Sequence, residues 1–583
     1  MHRLLIAALA TPLLISGPAW GQEKPEKPAA EKPAAKAGDT DPRIQEAVQR
    51  AVAKAKEELR EELRVEAQNQ QTAAAFLGPA EEKPKLDFLQ LNGYLRFRSD
   101  LFDSLDLRRF PAGSTAGSLF PVPIIGSTSL EPHGTITSAN MRFRLEPTLN
   151  VSEQVRIRAQ IDMLDNLVLG STPELSGYSP TRFDSQGQVP PADGVNSDRP
   201  SIAVKRAWGE VQTPLGLLSF GRMPNHWGMG ILANAGRGID DNFGDTVDRI
   251  QFAIPVGQTP LGRLTVVPML DFVAGGVTSA ALSQNRGLGQ PFDLDQGDDA
   301  RSLGLKVLRL DSEDELKRKL DKGMVSFNFG AWYAHKTQTF DFPTATVGTT
   351  PAPTDVVRRD AFAHVLDLWG RLETPRLHLE AEVAAIFGEI GNAGVPGGPV
   401  VGPVLLRQFG GVLNGAAKLS RGKVWVGGEF GVASGDRNPG FGYFPGPDPQ
   451  ISSGDKVLDI RNFRFNRAYR VDSILFRELI GGVTDAWYVK PTLRWEFLEG
   501  LAATAQILYA AAIYAGSTPS TVHAALGVEG DVGVTYASDD GFFAWLSYGI
   551  LFPLDGFDYV PGTPASPSLS RAHALRAGLA VRF

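Results

Sequence analysis

The last stretch of the chain, SRAHALRAGLAVRF at residues 570–583, alternates strictly between two kinds of side chain. One face carries the larger and more apolar residues: His573, Leu575, Ala577, Leu579, Val581 and Phe583. The other face carries small residues and two bases, Arg576 and Arg582. A period of two predicts a β-strand with one apolar and one polar face. Because the stretch ends on an aromatic residue with no polar tail, we predict that it closes a sheet built by the residues before it.

Length and composition limit the classes of protein to which the chain can belong. Its 583 residues exceed the ~50–250 residues of an ordinary domain, but a barrel grows by adding strands rather than by thickening a core. Cysteine is absent, so neither disulfides nor a lipid-modified cysteine is expected. The net charge of −7 gives no reason to expect nucleic acid as a partner.

The N-terminus predicts export. His2 and Arg3 precede an apolar run from Leu4 to Ile15, and a small-x-small cleavage site follows, so residues 1–21 form a predicted signal peptide. Beyond it no apolar run reaches the ~18 residues that a membrane helix needs. If the protein spans a membrane, we therefore expect it to do so with strands.

Two different segments follow the signal. Residues 22–41 are rich in Lys, Pro and Ala and predict an extended linker. Residues 42–75 start with Pro42, which suits a first helical turn, and then contain no Gly or Pro; their narrow apolar stripe predicts an amphipathic helix. Such a stripe fits a coiled coil that joins copies of the chain into a homo-oligomer, and it also fits a solitary solvated helix or a plug.

From residue 86 to residue 583 the alternation of apolar and polar residues has a period of two. In LDFLQLNGYLRFR (86–98), for example, Leu89, Leu91, Leu95 and Phe97 share one face. The pattern predicts strands at 86–98, 139–150, 153–168, 202–213, 216–227, 246–256, 261–274, 301–311, 322–337, 360–374, 376–388, 405–419, 422–434, 483–498, 501–513, 522–537, 541–553 and 570–583.

Short and long links alternate between these strands. The short links carry turn residues, except 312–321, which predicts a small charged helix, and the long links are rich in Gly, Pro, Ser and Asp. An even count places both chain ends on the short-turn side. This rhythm is typical of outer-membrane barrels, whereas a soluble β-sandwich would have shorter strands and no asymmetry between links. We predict an all-β fold, a closed antiparallel transmembrane β-barrel of about 18 strands preceded by a short periplasmic α-helix.

The polar faces of the predicted strands carry an uneven charge. The basic candidates for the lumen are Arg96, Arg98, Arg142, Arg144, Arg156, Arg158, Arg206, Arg576 and Arg582. The acidic candidates, Asp367, Glu380, Glu382 and Glu429, come mostly from strands across the barrel. Opposed charged walls would produce a transverse field that selects among solutes and favours anions. The alternative is that these charges pair with each other and fill the lumen.

The longest link contains a basic and aromatic stretch, residues 460–478. Its arginines recur among aromatic residues, and the candidates are Arg461, Arg464, Arg467, Arg470 and Arg477. A loop this apolar is expected either to fold into the mouth and constrict the pore or to pack along the upper rim. Nucleic-acid binding through such a pattern is not expected of an exported barrel.

Catalytic and metal-binding patterns are lacking. The stretch DLDQGDD (293–299) resembles the start of a calcium loop, but Gly304 stands where the bidentate Glu belongs. The sequence contains no G-x-S-x-G or H-E-x-x-H motif, and His226 is expected at a barrel rim. We predict no enzyme activity, no metal site and no cofactor.

The exported start, the period-two body and the terminal aromatic together resemble Gram-negative porin-type outer-membrane barrels. The stretches at 207–231 and 463–497 look like an uncharacterised deltaproteobacterial family of outer-membrane proteins, and the architecture is similar to the alginate-export channel. The resemblance implies that Phe583 is the signal read by the barrel-assembly machinery. The N-terminal helix departs from the simplest porins.

The sequence therefore predicts a pore in the cell outer membrane with both termini periplasmic. It would pass small or anionic solutes by diffusion or export through a basic lumen. The alternative function is a structural or adhesive barrel that the N-terminal helix links to periplasmic partners.

Overall fold

The computed structural model describes residues 88–105, 107, 135–169, 172–173, 188–189, 202–259, 262–273, 300–341, 356–394, 397–419, 423–437, 441, 459–558 and 569–583. All of them lie in one compact unit, Val65–Phe583. The predicted signal peptide, linker and amphipathic helix and the acidic stretch 293–299 lie outside the described residues.

Eighteen strands form the wall of the structure. They are β1 (Leu89–Asp103), β2 (Thr135–Asn150), β3 (Val155–Val168), β4 (Ile202–Thr213), β5 (Gly216–Pro224), β6 (Thr246–Thr259), β7 (Gly262–Val273), β8 (Ala300–Arg309), β9 (Ser326–Asp341), β10 (Val357–Glu373), β11 (Leu377–Ile390), β12 (Val404–Leu419), β13 (Val424–Ala433), β14 (Ala486–Leu498), β15 (Leu501–Ala512), β16 (Ala525–Ala537), β17 (Phe542–Pro553) and β18 (Ala572–Arg582).

Each strand of the wall pairs antiparallel with its neighbours along the chain, and β18 pairs with β1, so the sheet is closed. In that seam Arg96 lies opposite Ala580, and Asp100 lies opposite Arg576. Phe583 extends the seam through two backbone hydrogen bonds with Gly93, at 3.0 and 3.2 Å. The predicted closed barrel of 18 antiparallel strands is confirmed.

Burial follows the predicted alternation. Along β1, Arg96 and Arg98 are buried, whereas Leu95 and Phe97 are 43% and 44% exposed. A closed wall has one inner and one outer face, so the buried polar set points into the lumen and the exposed apolar set points outward. The outer face thus presents apolar side chains to the surroundings, in the arrangement expected when those surroundings are lipid.

The links between strands contain few regular elements. The predicted charged helix at 312–321 is present as α1 (Glu313–Asp321), where the Ser312 hydroxyl accepts a hydrogen bond from the Glu315 N–H at 3.3 Å. The strand Asp459–Ile460 pairs parallel with β12, and Thr172–Pro173 pairs with Gln188–Val189. Within the described ranges, no helix has the length and apolarity to cross a bilayer.

Candidate functional site

The nine predicted basic residues occupy inward register positions on β1–β4 and β18. Arg96, Arg142, Arg206 and Arg576 are buried almost completely, although guanidinium groups are costly to remove from water. Arg156 is half-buried and Arg582 is exposed, both toward the short-turn end of the barrel. The buried arginines must therefore have partners inside the lumen.

One partner is the link between β5 and β6, residues 225–245, which we call segment A. Arg96 donates to the carbonyl of Ile239 at 2.9 Å, and Arg142 donates to that of Asp241 at 2.7 Å. Arg206 donates to the carbonyl of Ala235, also at 2.7 Å. Since these arginines project inward from three strands, segment A runs inside the barrel along the basic wall.

Segment A also reaches the acidic wall. The Trp227 indole donates to the Asp367 carboxylate at 3.1 Å, and the Gly230 N–H donates to Glu382 at 2.9 Å. The Lys306 ammonium lies 5.2 Å from the Trp227 ring centre, a cation–π distance. Segment A therefore spans the lumen from one charged wall to the other.

The second partner is the end of the longest link, residues 461–485, which we call segment B. It buries a cluster of apolar side chains against inward residues of β14–β17: Phe463, Phe465, Val471, Ile474, Leu475, Phe476, Leu479, Ile480 and Val483. The six residues Leu475–Ile480 form a π-helical turn. Residues 461–485 therefore pack against inward side chains of the wall.

Two charged side chains of the wall, one acidic and one basic, form hydrogen bonds with the backbone of segment B. Glu529 of β16 accepts from the N–H groups of Ser473, Ile474 and Leu475, each at 2.8 Å. Lys490 of β14 donates to the Val471 carbonyl at 3.1 Å. Three amides on one buried carboxylate fix this turn in place, because each would otherwise be an unsatisfied donor.

Segments A and B meet at Asp240. Its carboxylate pairs with Arg98 at 3.0 Å, with Arg477 at 2.8 Å and also with Arg470. Burial alone would raise the pKa of Asp240, but Arg477, Arg470 and Arg98 hold it well below its usual value. One carboxylate on segment A thus neutralises bases from the wall and from segment B.

A second junction lies near Asn466 of segment B. Its N–H donates to the Ile231 carbonyl at 2.7 Å, and its side-chain amide donates to Asp245 at 2.5 Å. The Arg467 guanidinium lies 4.4 Å from the ring centre of Phe243. The two segments are therefore in direct contact within the lumen and narrow it together.

The predicted constriction arginines have different environments. Arg470 and Arg477 join the Asp240 cluster, and Arg467 covers Phe243. Arg464 forms an isolated β-bridge with Thr484. Arg461 is half-exposed and pairs with Asp459 at 2.7 Å. Only part of the predicted set is thus placed where the lumen is narrowed.

Two of the acidic candidates, Glu380 and Glu429, are held by hydrogen bonds on their own wall. Glu429 accepts from the Tyr488 hydroxyl at 2.6 Å, and Glu380 accepts from the Trp369 indole at 2.8 Å. On the basic side, Arg158 pairs with Glu210 at 3.2 Å. The Arg158–Glu210 pair, like the Lys490–Glu429 pair at 3.2 Å, balances charge locally.

Arg144 and Asp162 form a bidentate ion pair on the basic wall. The guanidinium donates from Nε and Nη2 to the two carboxylate oxygens, at 2.6 and 2.8 Å. Both side chains are buried. Such bidentate geometry fixes the position of the guanidinium as well as neutralising it.

Sequence reasoning missed segment A. It considered only His226, which lies inside this segment, where its Nδ1 accepts a 3.4 Å hydrogen bond from the Ala235 N–H. The available signal was NAGRGIDDNFGD (234–245), which contains three glycines and three carboxylates. At Gly236, with φ +65°, a Cβ would come within 1.7 Å of the Phe243 carbonyl oxygen. This close backbone turn carries Asp240 to the arginines.

Within the described part of the chain, no three His, Asp or Glu residues are placed to hold a metal ion.

Comparisons with known proteins find likeness in solved structures. Neither a family model nor a curated relative matches the chain. OccAB4 of Acinetobacter baumannii has a TM-score of 0.41 at 10% identity, covering 85% of this chain and 98% of that one. OccK9 (OpdG) of Pseudomonas aeruginosa has a TM-score of 0.43 at 12% identity, with coverage of 85% and 98%. A BenF-like porin from Pseudomonas fluorescens Pf-5 has a TM-score of 0.41 at 9% identity, with coverage of 85% and 100%.

Proposed function

We propose that the protein is an outer-membrane pore that passes small or anionic solutes. The single observation that carries the proposal is a closed barrel with an apolar outside and a charged lumen. Outward residues on opposite sides of the barrel are exposed, such as Leu579 at 51% and Leu368 at 49%. A continuous apolar outer surface is unfavourable in water and is matched by lipid hydrocarbon.

The loop asymmetry supports the predicted orientation. Both ends of the barrel lie on the short-turn side, which is periplasmic in barrels of this kind. Segments A and B then enter the lumen from the external side. Exposed Phe583, whose ring centre lies 6.1 Å from that of Phe143, stands at the periplasmic edge, where the barrel-assembly machinery would read it.

Selection would occur where the two segments meet the basic wall. An anion entering there meets guanidinium groups whose charge the nearby carboxylates only partly neutralise. Below the segments, half-buried Arg156 and exposed Arg582 continue the basic face toward the short-turn end. The positive charge of these arginines, in a channel with low-dielectric walls, attracts anions and repels cations. Anions would therefore pass more readily than cations.

Planar-bilayer recording of the purified protein tests the proposal. We expect discrete conductance steps and a reversal potential that shows anion preference in a salt gradient. Charge reversal at Arg156 and Arg582 should reduce this preference. The matched control is Arg222→Glu, because Arg222 pairs with Asp248 on the outer face. Absence of any conductance step, or cation preference, would overturn the proposal.

The alternative is a structural or adhesive barrel, and the extent of the lumen contacts favours it. Segments A and B bind both walls and each other, as in a permanently closed barrel. Deletion of residues 22–75 should then weaken the cell envelope without changing solute uptake.

We also propose that the helix predicted at 42–75 joins copies of the chain into a homo-oligomer. Chemical cross-linking of the full chain, compared with cross-linking of the variant that lacks residues 22–75, would test this.

A further inference from the structure

The outer face of β17 and β18 carries a cluster of polar groups near the upper end of these strands. The Tyr548 hydroxyl lies 2.8 Å from Nδ1 of His573, and the two rings stack at 6.1 Å. Arg571, two residues before His573, places its guanidinium carbon 4.9 Å from the centre of the outward-facing Phe552 ring. With the tyrosine hydroxyl donating to Nδ1, the Nε2–H of His573 remains as a second donor beside the guanidinium.

The height of this group matches a membrane surface. Below His573, the outward residues of β18 are Leu575, Ala577, Leu579 and Val581, followed by Phe583. Ten residues at ~3.3 Å each, tilted as in other barrels, give a height of roughly 25 Å, which is that of the apolar band. Arg571 and His573 therefore lie at the upper interface when Phe583 lies at the lower one.

An apolar groove lies on the same outer face, deeper in the bilayer. It has a volume of about 490 Å³ and is lined mainly by apolar residues, including Phe97, Val534, Leu546 and Leu579, with the small Ala544 and Ala577 between them. Ala577 is four residues below His573, so with the same strand tilt the groove begins about 10 Å further into the bilayer. A cationic group above an apolar groove is complementary to an anionic headgroup with its acyl chain.

We propose that this face binds one anionic lipid, with a phosphate monoester headgroup on Arg571 and His573 and an acyl chain in the groove. The inference rests on the membrane placement in the proposed function, not on conduction. Phosphate oxygens accept strong, charge-assisted hydrogen bonds from guanidinium and imidazole donors. The lipid would occupy the seam side of the barrel, where β18 meets β1.

A second tyrosine–histidine pair on the outer face provides a matched control. Tyr333 and His364 lie 2.7 Å apart, in the same diagonal arrangement across β9 and β10. The outward base on the same strand, Arg358, stands six residues before His364 and forms an ion pair with Asp360 at 2.7 Å. Because Asp360 partly neutralises Arg358, the surface around this second pair should attract an anionic lipid more weakly.

The experiment measures lipids retained by the full chain in nanodiscs of phosphatidylcholine that contain a small fraction of phosphatidic acid, using native mass spectrometry. We expect preferential retention of phosphatidic acid. Arg571→Ala combined with His573→Ala should weaken it about tenfold, the scale expected for losing charge-assisted contacts. Ala577→Phe should weaken it by filling the groove, whereas Arg358→Ala combined with His364→Ala should not.

Three results would overturn the proposal: equal retention by the Arg571–His573 double variant, an equal loss in the Arg358–His364 control, or displacement of the lipid by inorganic phosphate. Circular dichroism checks that each variant is folded. If Ala577→Phe does not fold, a phosphatidic acid with truncated chains replaces it, and undiminished retention contradicts the groove. A chain that does not enter nanodiscs refutes the membrane placement itself, and a non-conducting chain that retains the lipid refutes only the pore.

Discussion

Segments A and B both lie inside the barrel, but they are held there by different forces. Segment A offers backbone carbonyls to buried arginines, as at Ile239 and Ala235. Segment B buries apolar side chains such as Phe465 and Leu475 and places three amides on Glu529. Segment A therefore depends on the charge of the wall, whereas segment B depends on burial and on one acceptor.

The difference shows how a lumen lined with arginines can be stable. Isolated guanidinium groups in a low-dielectric space repel each other, but peptide carbonyls accept their hydrogen bonds without adding negative charge. At Arg96 and Arg206 the carbonyls of segment A thus satisfy donors without cancelling the guanidinium charge. A carboxylate at these two positions would cancel it.

The largest effect is expected when segment B loses its acceptor. Glu529→Ala leaves three buried amides without a partner, and each costs about 1–3 kcal/mol. We expect faster hydrogen exchange at 473–475 and larger conductance steps. Glu529→Gln, which keeps one acceptor oxygen, should have a smaller effect. The exposed turn variant Glu153→Ala is the control, and unchanged exchange in Glu529→Ala would show that burial alone holds segment B.

A smaller effect is expected at the junction of the two segments. Asp240→Asn leaves Arg98, Arg470 and Arg477 without their shared carboxylate, and breaking a buried ion pair costs about 3–5 kcal/mol. Anion preference in bilayers should rise because positive charge is uncovered. Asp248→Asn removes one charge from a half-exposed outward pair and should cost at most ~1 kcal/mol. Equal effects of the two variants would contradict a special role for Asp240.

The pH dependence should come from segment B. Burial raises the pKa of Asp472 to about 7, with Asp531 adding to the rise and Lys490 opposing it. The folded form then binds more protons than the unfolded form between pH ~4 and ~7, so segment B is most stable at the acidic end and loses stability as the pH rises through this window. Channel opening measured from pH 4 to 8 should increase accordingly. Asp472→Asn should flatten the profile, and an unaltered profile would assign the titration to another group.

The smallest effect is expected at Arg467. Its cation–π contact with Phe243 joins the segments, and such contacts contribute about 0.5–1 kcal/mol at partly exposed sites. Arg467→Ala should therefore shift the melting temperature slightly and leave the conductance unchanged. A double-mutant cycle with Phe243→Leu measures the coupling. A coupling near zero would mean that Asp240 and Asn466 alone connect the two segments.

The strands were predictable because alternation is a local property. Every predicted strand overlaps one strand of the wall, and the largest differences are at ends such as that of β1, which continues to Asp103 rather than stopping at residue 98. Segment B was predictable as well, since Phe463 and its aromatic neighbours are too apolar for a free loop. Segment A was not, because its attachment uses backbone carbonyls, which every residue has.

By itself, the sequence determined the strand period, the inward side of each arginine and the closing role of residues 570–583. These follow from alternation, which fixes a side chain's face from its position in the strand. Only the tertiary structure decided what the arginines bind. Arg96 and Ile239 are 143 residues apart, and no local pattern encodes that contact. The strand ending in Phe583 closes the barrel by its own pattern, but Arg576 on its inner face pairs with Glu478 of segment B only because the lumen brings the two together.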